Sequence, residues 1–281
     1  MNGKLYLCPT PIGNLGDMTI RTLEVLKSVD LIAAEDTRVS AKLLNHFDIK
    51  VPTTSYYEHN KREKGSYLLE KLLNGEKIAV ITDAGMPGIS DPGELVRLCI
   101  DNSIPVEALP GPCAFATALV ASGMPTGRFA FEGFLTVNRK NRLAHLESVK
   151  NDTRTLIFYE APHKLLTTLK DMLNVFGNRE ITLARELTKR FEEYRRTTLE
   201  DAVHYYEETP PKGEFVLIIK GADEAKLIEE YRDALPSAEE LLRRYSSENL
   251  RAKELTRRVA DELKQPRRDI YNLYLKIKDT L

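Results

Sequence analysis

Short apolar runs recur through the first 122 residues, each closed by Gly, Pro or acidic residues and most followed by a stretch with helical spacing. Lys4–Cys8, Val29–Ala34, Lys77–Ile81 and Val106–Leu109 are such runs, with a weaker one at Thr53–Glu58. Runs of this length between turn signals predict buried strands. Between them, Ile20, Leu23 and Leu26 share one helical face behind Thr19, which is placed to cap a helix through Ser28. Ser40–Phe47, Lys61–Asn74, Glu94–Ile100 and Ala114–Ala121 are further helix candidates. Strands alternating with helices predict an α/β domain with a largely parallel sheet over residues 1–122.

The pattern changes after Gly123–Gly127. Phe129–Phe134, Thr155–Tyr159, Glu180–Ala184 and Phe215–Ile219 have strand composition, with helix candidates at Lys140–Val149, Pro162–Phe176 and Leu199–Glu208. This predicts a second, α+β domain of mixed sheet over residues 123–222. A third piece, residues 223–281, is helical. Ser237-Ala-Glu-Glu240 is a capping box, and Leu255, Val259 and Leu263 recur every four residues. Lys264-Gln-Pro266 breaks that helix, and Pro266 suits the first turn of a last one with Ile270, Leu273, Tyr274 and Ile277 inside. Two helices joined by so short a turn resemble a helix-turn-helix.

Composition narrows the function classes. The 281 residues carry a formal net charge of −1, so any nucleic-acid binding has to come from a local patch. Residues 243–268 supply one, with nine Lys/Arg against four Asp/Glu; it is either a solvated helical face or a phosphate grip. The three cysteines form no C-x-x-C pair, which suits a reduced cytosolic compartment, and the five histidines form no metal-ligand cluster. No metal is therefore expected. No apolar run reaches membrane-spanning length and no signal-peptide core follows Met1, so the expectation is a cytoplasmic protein with no membrane partner.

The densest candidate chemistry lies at residues 80–93, where an apolar strand runs into a loop with three glycines, two prolines and two aspartates. Glycine permits close backbone approach or positive φ, and proline stiffens the loop between. Gly88-Ile-Ser90-Asp-Pro92 fails the serine-hydrolase elbow, and no dinucleotide or P-loop glycine motif follows a strand. The loops at Pro9–Gly16, Asp83–Gly93 and Pro110–Ala114 all follow strands, whose ends share one edge of a parallel sheet and so converge on a single cleft. Ligand contact is assigned to the Asp83 loop and helix capping to Asp91. Glu35-Asp36-Thr37-Arg38 either orients a reactive hydroxyl or forms a salt-bridged helix entry. Cys113 sits at a helix N-terminus, where a thiolate is favoured, but it has no base in sequence and reads as a small packed residue. In the second domain, Phe158–His163, Ala184–Lys189 and Lys212–Phe215 place charged and hydroxyl groups outside strands, together a polar wall to the cleft. Arg139–Arg142 and Arg195-Arg196 read as basic clusters on loops or exposed helix faces.

Thr10-Pro-Ile-Gly-Asn-Leu15, Ala34-Glu-Asp-Thr-Arg38, Asp83–Gly93 and Leu109-Pro-Gly-Pro112 resemble motifs of the tetrapyrrole-methylase superfamily. Phe158–His163, Ala184-Arg-Glu-Leu-Thr-Lys189 and Lys212-Gly-Glu-Phe215 resemble those of the bacterial small-subunit ribosomal RNA (cytidine-2′-O)-methyltransferases, in order over nearly the whole chain. The resemblance implies a tetrapyrrole-methylase-like two-domain α/β fold with a small helical C-terminal module, S-adenosylmethionine bound between the domains, small-subunit (16S) ribosomal RNA as substrate, and a homodimer. It assigns cofactor contact to Asp83, Ala84, Gly85, Met86, Gly88, Ile89 and Ser90, and to Gly111, Pro112, Cys113 and Ala114. Cys113 departs from the serine common in relatives. Candidate acceptors of the hydroxyl proton are Asp36 and Glu160, and the candidate RNA phosphate contacts are Arg257, Arg258, Arg267 and Arg268. The alternatives are a small-molecule methyltransferase of the tetrapyrrole type and a non-catalytic ribosome-binding protein.

Overall fold

The computed structural model describes residues 3–278 apart from 58–59, 90–92, 235 and 249. Contacts divide the chain into two units, Met1–Gly221 and Ala222–Leu281. The first holds both sheets. Its opening half runs β1 (Lys4–Leu7), α1 (Ile20–Ser28), β2 (Leu31–Ala34), α2 (Thr37–His46), β3 (Thr53–Ser55), α3 (Lys61–Leu73), β4 (Lys77–Ile81), α4 (Glu94–Asp101), β5 (Val106–Ala108) and α5 (Ala114–Ser122). The five strands are all parallel, in the order β3-β2-β4-β1-β5.

A parallel sheet covered by helices on both faces needs strands that are apolar throughout, and β4 shows how. Its Ile78 and Val80 pack with Leu68 and Leu72 of α3 and Leu95 and Cys99 of α4. Ala79 and Ile81, on the opposite face, pack with Leu26 of α1 and Leu44 of α2. Thr19 caps α1 as its sequence predicts, its side chain accepting from the Thr22 amide.

The second half runs β6 (Phe129–Phe134), α6 (Arg139–Val149), β7 (Thr155–Glu160), α7 (Pro162–Phe176), β8 (Glu180–Arg185), β9 (Glu193–Thr198), α8 (Leu199–Glu208) and β10 (Phe215–Ile219). Its sheet is mixed, in the order β6-β7-β10-β8-β9, parallel only between β6 and β7. One face, with Leu156, Phe158, Leu183 and Leu217, packs on α6, α7 and α8. The other, with Ile157, Ala184, Val216 and Ile218, receives Ala118 and Leu119 of α5. Helix α5 thus carries the chain from the first sheet onto the second.

Two expectations need correction. Arg195 and Arg196 lie on neither a loop nor a helix but in β9, the edge strand paired with β8. The hexamer Glu-Tyr-Arg-Arg-Thr-Thr has no apolar run to reveal a strand. What anchors it lies outside the hexamer: the Arg195 guanidinium lies 3.6 Å over the Tyr205 ring, and Arg196, itself exposed, donates to the carbonyls of Ala121 and Ser122. Arg142, expected on an exposed face, is buried. Its guanidinium bonds Asp171 at 2.7–2.8 Å and the carbonyls of Thr136 and Val137, so it holds α6 to α7 and is closed to phosphate.

The second unit is α9 (Glu224–Ala234), α10 (Ala238–Ser246), α11 (Ala252–Leu263) and α12 (Arg267–Ile277). Helix α9 is an addition to the sequence reading. The capping box at Ser237–Glu240 is formed in both directions, and Leu241, Leu242, Leu255, Val259 and Ile270 make the core. The break between α11 and α12 is a left-handed Lys264 (φ 50°) followed by Pro266 at the N-cap. Among the described residues, no helix is long and apolar enough to cross a membrane.

Candidate active site

The ends of β1, β2, β4 and β5 carry their loops to one edge of the first sheet, as parallel strands must. Three of these loops lock together, two through backbone hydrogen bonds and the third by close packing. Thr10 and Gly85 exchange two N–H···O hydrogen bonds, each 3.0 Å, and the Thr10 hydroxyl donates to the Thr82 carbonyl at 3.0 Å. Gly85 has φ +81°, which favours glycine. Gly111 lies against Pro9 so closely that a Cβ there would stand 2.3 Å from the proline Cγ. The loops after β1, β4 and β5 are one interlocked floor.

Above this floor is a cavity of about 440 Å³, the size of a small-molecule or cofactor site. The first sheet contributes Ile12, Glu35, Cys113, Ala114 and the stretch Asp83–Met86 with Ile89. The second contributes Phe134 from the end of β6, Tyr159 to Ala161 from β7, Leu187 and Lys189 after β8, and Glu214 to Val216 at the start of β10. Phe134 follows a register shift in the β6–β7 ladder at Phe131/Gly133, the kind of irregularity that re-aims a side chain, and is 57% exposed.

The lining is rich in carboxylates. Asp83 and the Glu35–Asp36 loop are tied together: Asp83 Oδ1 accepts from the Asp36 amide at 3.2 Å, and the Asp83 amide donates to Glu35 at 3.3 Å. Burial, then the nearby Asp36 charge, pushes Asp83 above the usual carboxylate range, against the pull of that amide bond. Asp36 moves the other way. Hydrogen bonds from the Arg38 guanidinium and amide lower it to about 2. It is the N-cap of α2 and lies behind Asp83, outside the cavity wall.

Glu160 reaches the wall at 2% exposure, with one oxygen accepting from the Ala161 amide at 2.9 Å and the other from the Thr168 hydroxyl at 2.6 Å. Beside it the Tyr159 hydroxyl accepts from the Phe115 amide at 3.1 Å and serves the N-terminus of α5, where Cys113 provides no capping bond. Burial pushes the Tyr159 phenol up to about 12.

Of the residues assigned to cofactor contact, Asp83, Ala84, Gly85, Met86, Ile89, Cys113 and Ala114 meet at the cavity. Gly111 and Pro112 support the floor from below, and Gly88 (φ +84°) turns the loop without lining it. Ser90, like the capping Asp91, lies outside the described residues. The four tail arginines belong to the other unit. Arg257 and Arg267 both pair with Asp261, at 3.6 and 3.2 Å; Arg258 pairs with Glu248 at 2.6 Å and lies 4.0 Å over the Tyr245 ring. Arg268 is exposed and has no partner among the described residues. Among the other lining residues, Glu35 opens the group read as orienting a reactive hydroxyl or entering a helix, and Tyr159, Lys189 and Glu214 lie in the segments read as the cleft's polar wall, whereas Ile12 and Phe134 were assigned no part in it. Lys189 and Glu214 stood in charged segments at strand ends, a legible signal, whereas Phe134 carried none. Among the described residues, no group of His, Cys, Asp and Glu is arranged to hold a metal ion.

The family profile described as Tetrapyrrole (Corrin/Porphyrin) Methylases matches residues 4–203. Curated relatives named Ribosomal RNA small subunit methyltransferase I are 50% identical in Halalkalibacterium halodurans (97% of this chain, 94% of that one) and 47% identical in Synechocystis sp. (98% and 99%). The chain belongs to the tetrapyrrole methylase family, with the ribosomal RNA small subunit methyltransferases I. Solved structures agree on the fold. Uroporphyrin-III-C-methyltransferase from Thermus thermophilus superposes with a TM-score of 0.56 at 20% identity, covering 84% of this chain and all of that one. The same enzyme complexed with S-adenyl homocysteine gives 0.53 at 20% identity, over 76% and 97%.

Cys113 gives the cavity an internal reporter, because Cys8 and Cys99 are fully buried. Burial pushes the Cys113 thiol above its ordinary value, with the Ala116 and Phe115 amides opposing, so its thiolate fraction rises only in the alkaline range. In the native protein a thiol reagent should label Cys113 first, faster as pH rises above 9, and S-adenosylhomocysteine should protect it. Peptide mapping after brief alkylation reads both effects.

Proposed function

We propose that the protein transfers a methyl group from S-adenosylmethionine to the 2′-hydroxyl of a cytidine in small-subunit ribosomal RNA. The observation that carries the reading is the convergence of the family's donor-loop segment, Asp83 to Ile89, with the second sheet's polar wall in one cavity. Family membership supports methyl transfer, and the names of the close relatives support the ribosomal substrate over a tetrapyrrole. The carboxylates Glu35 and Asp83 give the first sheet's side of the cavity a negative character suited to a sulfonium donor.

The bound donor supplies an activated methyl group. The chain's work is to hold the ribose hydroxyl in line with it, and such positioning is worth several kcal/mol by itself (about 7–11 in well-oriented model reactions). Glu160 is the carboxylate assigned to the hydroxyl proton, since it reaches the wall. Asp36 is held by Arg38 at a pKa of about 2, and its part is to frame the Asp83 loop. The tail arginines take phosphates. Their present partners are exposed carboxylates, and pairs of that kind contribute only about 0–1 kcal/mol, so phosphate can replace them.

Two copies of the chain form the working unit in this reading. Helix α5, Ala-Phe-Ala-Thr-Ala-Leu-Val-Ala-Ser, is apolar nearly all round, yet Val120 is 76% exposed and the neighbouring Phe129 of β6 is 41% exposed. A helix of that character calls for cover on both sides. Free cysteines and a ribosomal substrate support a cytoplasmic location.

Tritiated-methyl transfer to purified, unmodified small subunits, followed by nucleoside analysis, should yield 2′-O-methylcytidine, while a porphyrinoid acceptor should yield nothing; the reverse result sinks the reading. In that assay Glu160→Gln should lower kcat by about 100-fold with donor binding intact, and Asp36→Asn should change kcat little. Neutralising Arg257, Arg258, Arg267 and Arg268 together should flatten the salt dependence of RNA binding by about three in log–log slope. Equilibrium sedimentation at micromolar protein should give twice the chain mass, and Val120→Glu should shift it toward one.

A further inference from the structure

At the mouth of the cavity the second sheet sets a lysine between two glutamates. Lys189 Nζ donates to Glu186 Oε1 at 2.9 Å and to Glu214 Oε2 at 2.8 Å. Glu186 Oε1 also accepts from the Glu214 amide at 3.0 Å, so Glu186 faces inward and holds both partners. Glu214 faces out, its side chain 79% exposed. The chain is bent to make this arrangement. Glu186 and Thr188 have φ of 50° and 64°, and Gly213, at φ +83°, leaves no room for a Cβ, which would meet Glu186 Cγ at 2.4 Å. Non-glycine residues held in the left-handed region are strained and concentrate where a ligand is bound. From the first sheet, Gly13 closes on the lysine stem, where a Cβ would stand 2.5 Å from Lys189 Cγ.

Burial works against the Lys189 ammonium, but its bonds to Glu214 and Glu186 outweigh this and raise its pKa. Lys189 is therefore a hydrogen-bond donor and not a base. An ammonium has three N–H groups, and two are taken. Glu214 keeps one oxygen that makes no other side-chain hydrogen bond among the described residues. The pair thus presents one donor and one acceptor side by side.

The net charge of the triad decides what it can receive. One ammonium against two carboxylates leaves −1, and no other cation lines the cavity among the described residues, so an anionic phosphate is repelled. A neutral edge with an acceptor next to a donor fits. Cytosine has that edge, N3 accepting beside the N4 amine, and carboxylates characteristically accept from the N4 amine. Uracil presents the opposite order, a donor at N3 and an acceptor at O4. Phe134, exposed at the cavity with the Tyr159 ring 5.3 Å away, offers the aromatic surface on which an unstacked base is held. We infer that Lys189 and Glu214 read the Watson–Crick edge of the target cytosine, Glu214 accepting from N4 and Lys189 donating to N3. The inference rests on the cytidine methylation proposed above and adds the residues that select the base.

The test compares small subunits carrying cytidine or uridine at the position the unaltered enzyme methylates, with tritiated donor. Glu214→Gln keeps the shape but can turn its amide to donate to O4. It should shrink the cytidine-over-uridine ratio of kcat/KM by about tenfold or more while donor affinity is unchanged. Lys189→Met should lower kcat/KM on cytidine, again without loss of donor binding. If the unaltered enzyme makes a 2′-O-methyl nucleoside other than cytidine, the proposed function falls and this inference with it. If it is faithful to cytidine and Glu214→Gln leaves the ratio unmoved, only the assignment of these residues is overturned.

Discussion

The reciprocal hydrogen bonds between Thr10 and Gly85 are what the rest of the site depends on. They join loops that leave neighbouring strands, and the sheet order β4-β1-β5 brings the third loop, with Gly111 on Pro9, to the same place. A floor built from main-chain amides and carbonyls is insensitive to most side-chain changes. Its weak points are the glycines: Gly85 holds a positive φ, and an added Cβ at Gly111 meets the rigid Pro9 ring. This makes the loop after β4 a preformed surface, with few torsions left to order when a ligand arrives.

Two sheets share one cavity but meet different demands. The first supplies a rigid floor and a carboxylate pair, Asp83 beside Asp36, whose environments drive their pKa values apart. The second supplies aromatic and hydrogen-bonding groups at the open side. The Tyr159 hydroxyl joins the halves by serving the first turn of α5, so a side chain of the second sheet completes a helix that begins at the first sheet's edge. Where Cys113 offers no cap, the structure makes the bond from across the cavity.

The fold was legible wherever burial wrote a periodic signal. Apolar runs at Lys77–Ile81 and Phe215–Ile219 are strands because both faces are covered, and the Ser237 box caps a helix because its two bonds are local. Strand β9 was illegible because it is only half-buried and is anchored by arginine stacking on Tyr205 and by carbonyls of a distant helix, which no local window contains. Arg142 was misread for the same reason, since its partner Asp171 is 29 residues away. In the site, the resemblance and the glycine pattern pointed to the floor. Lys189 and Glu214 were legible as members of the cleft's polar wall but not as a pair, because what joins them is a shared contact with Glu186 that arises when β8 pairs with β10.

The ion pairs of the helical tail have a consequence for selectivity. A bare basic patch binds any polyanion, because each phosphate it neutralises frees a cation condensed on the nucleic acid. Here Asp261 and Glu248 act as resident counterions for Arg257, Arg267 and Arg258, and they stay on the protein when the arginines turn elsewhere. Each phosphate contact therefore has to displace an ion pair and leaves a carboxylate behind, close to the phosphate it repels. Such a tail adheres weakly to bulk nucleic acid, and it holds firmly only where a shaped surface offers several contacts at once.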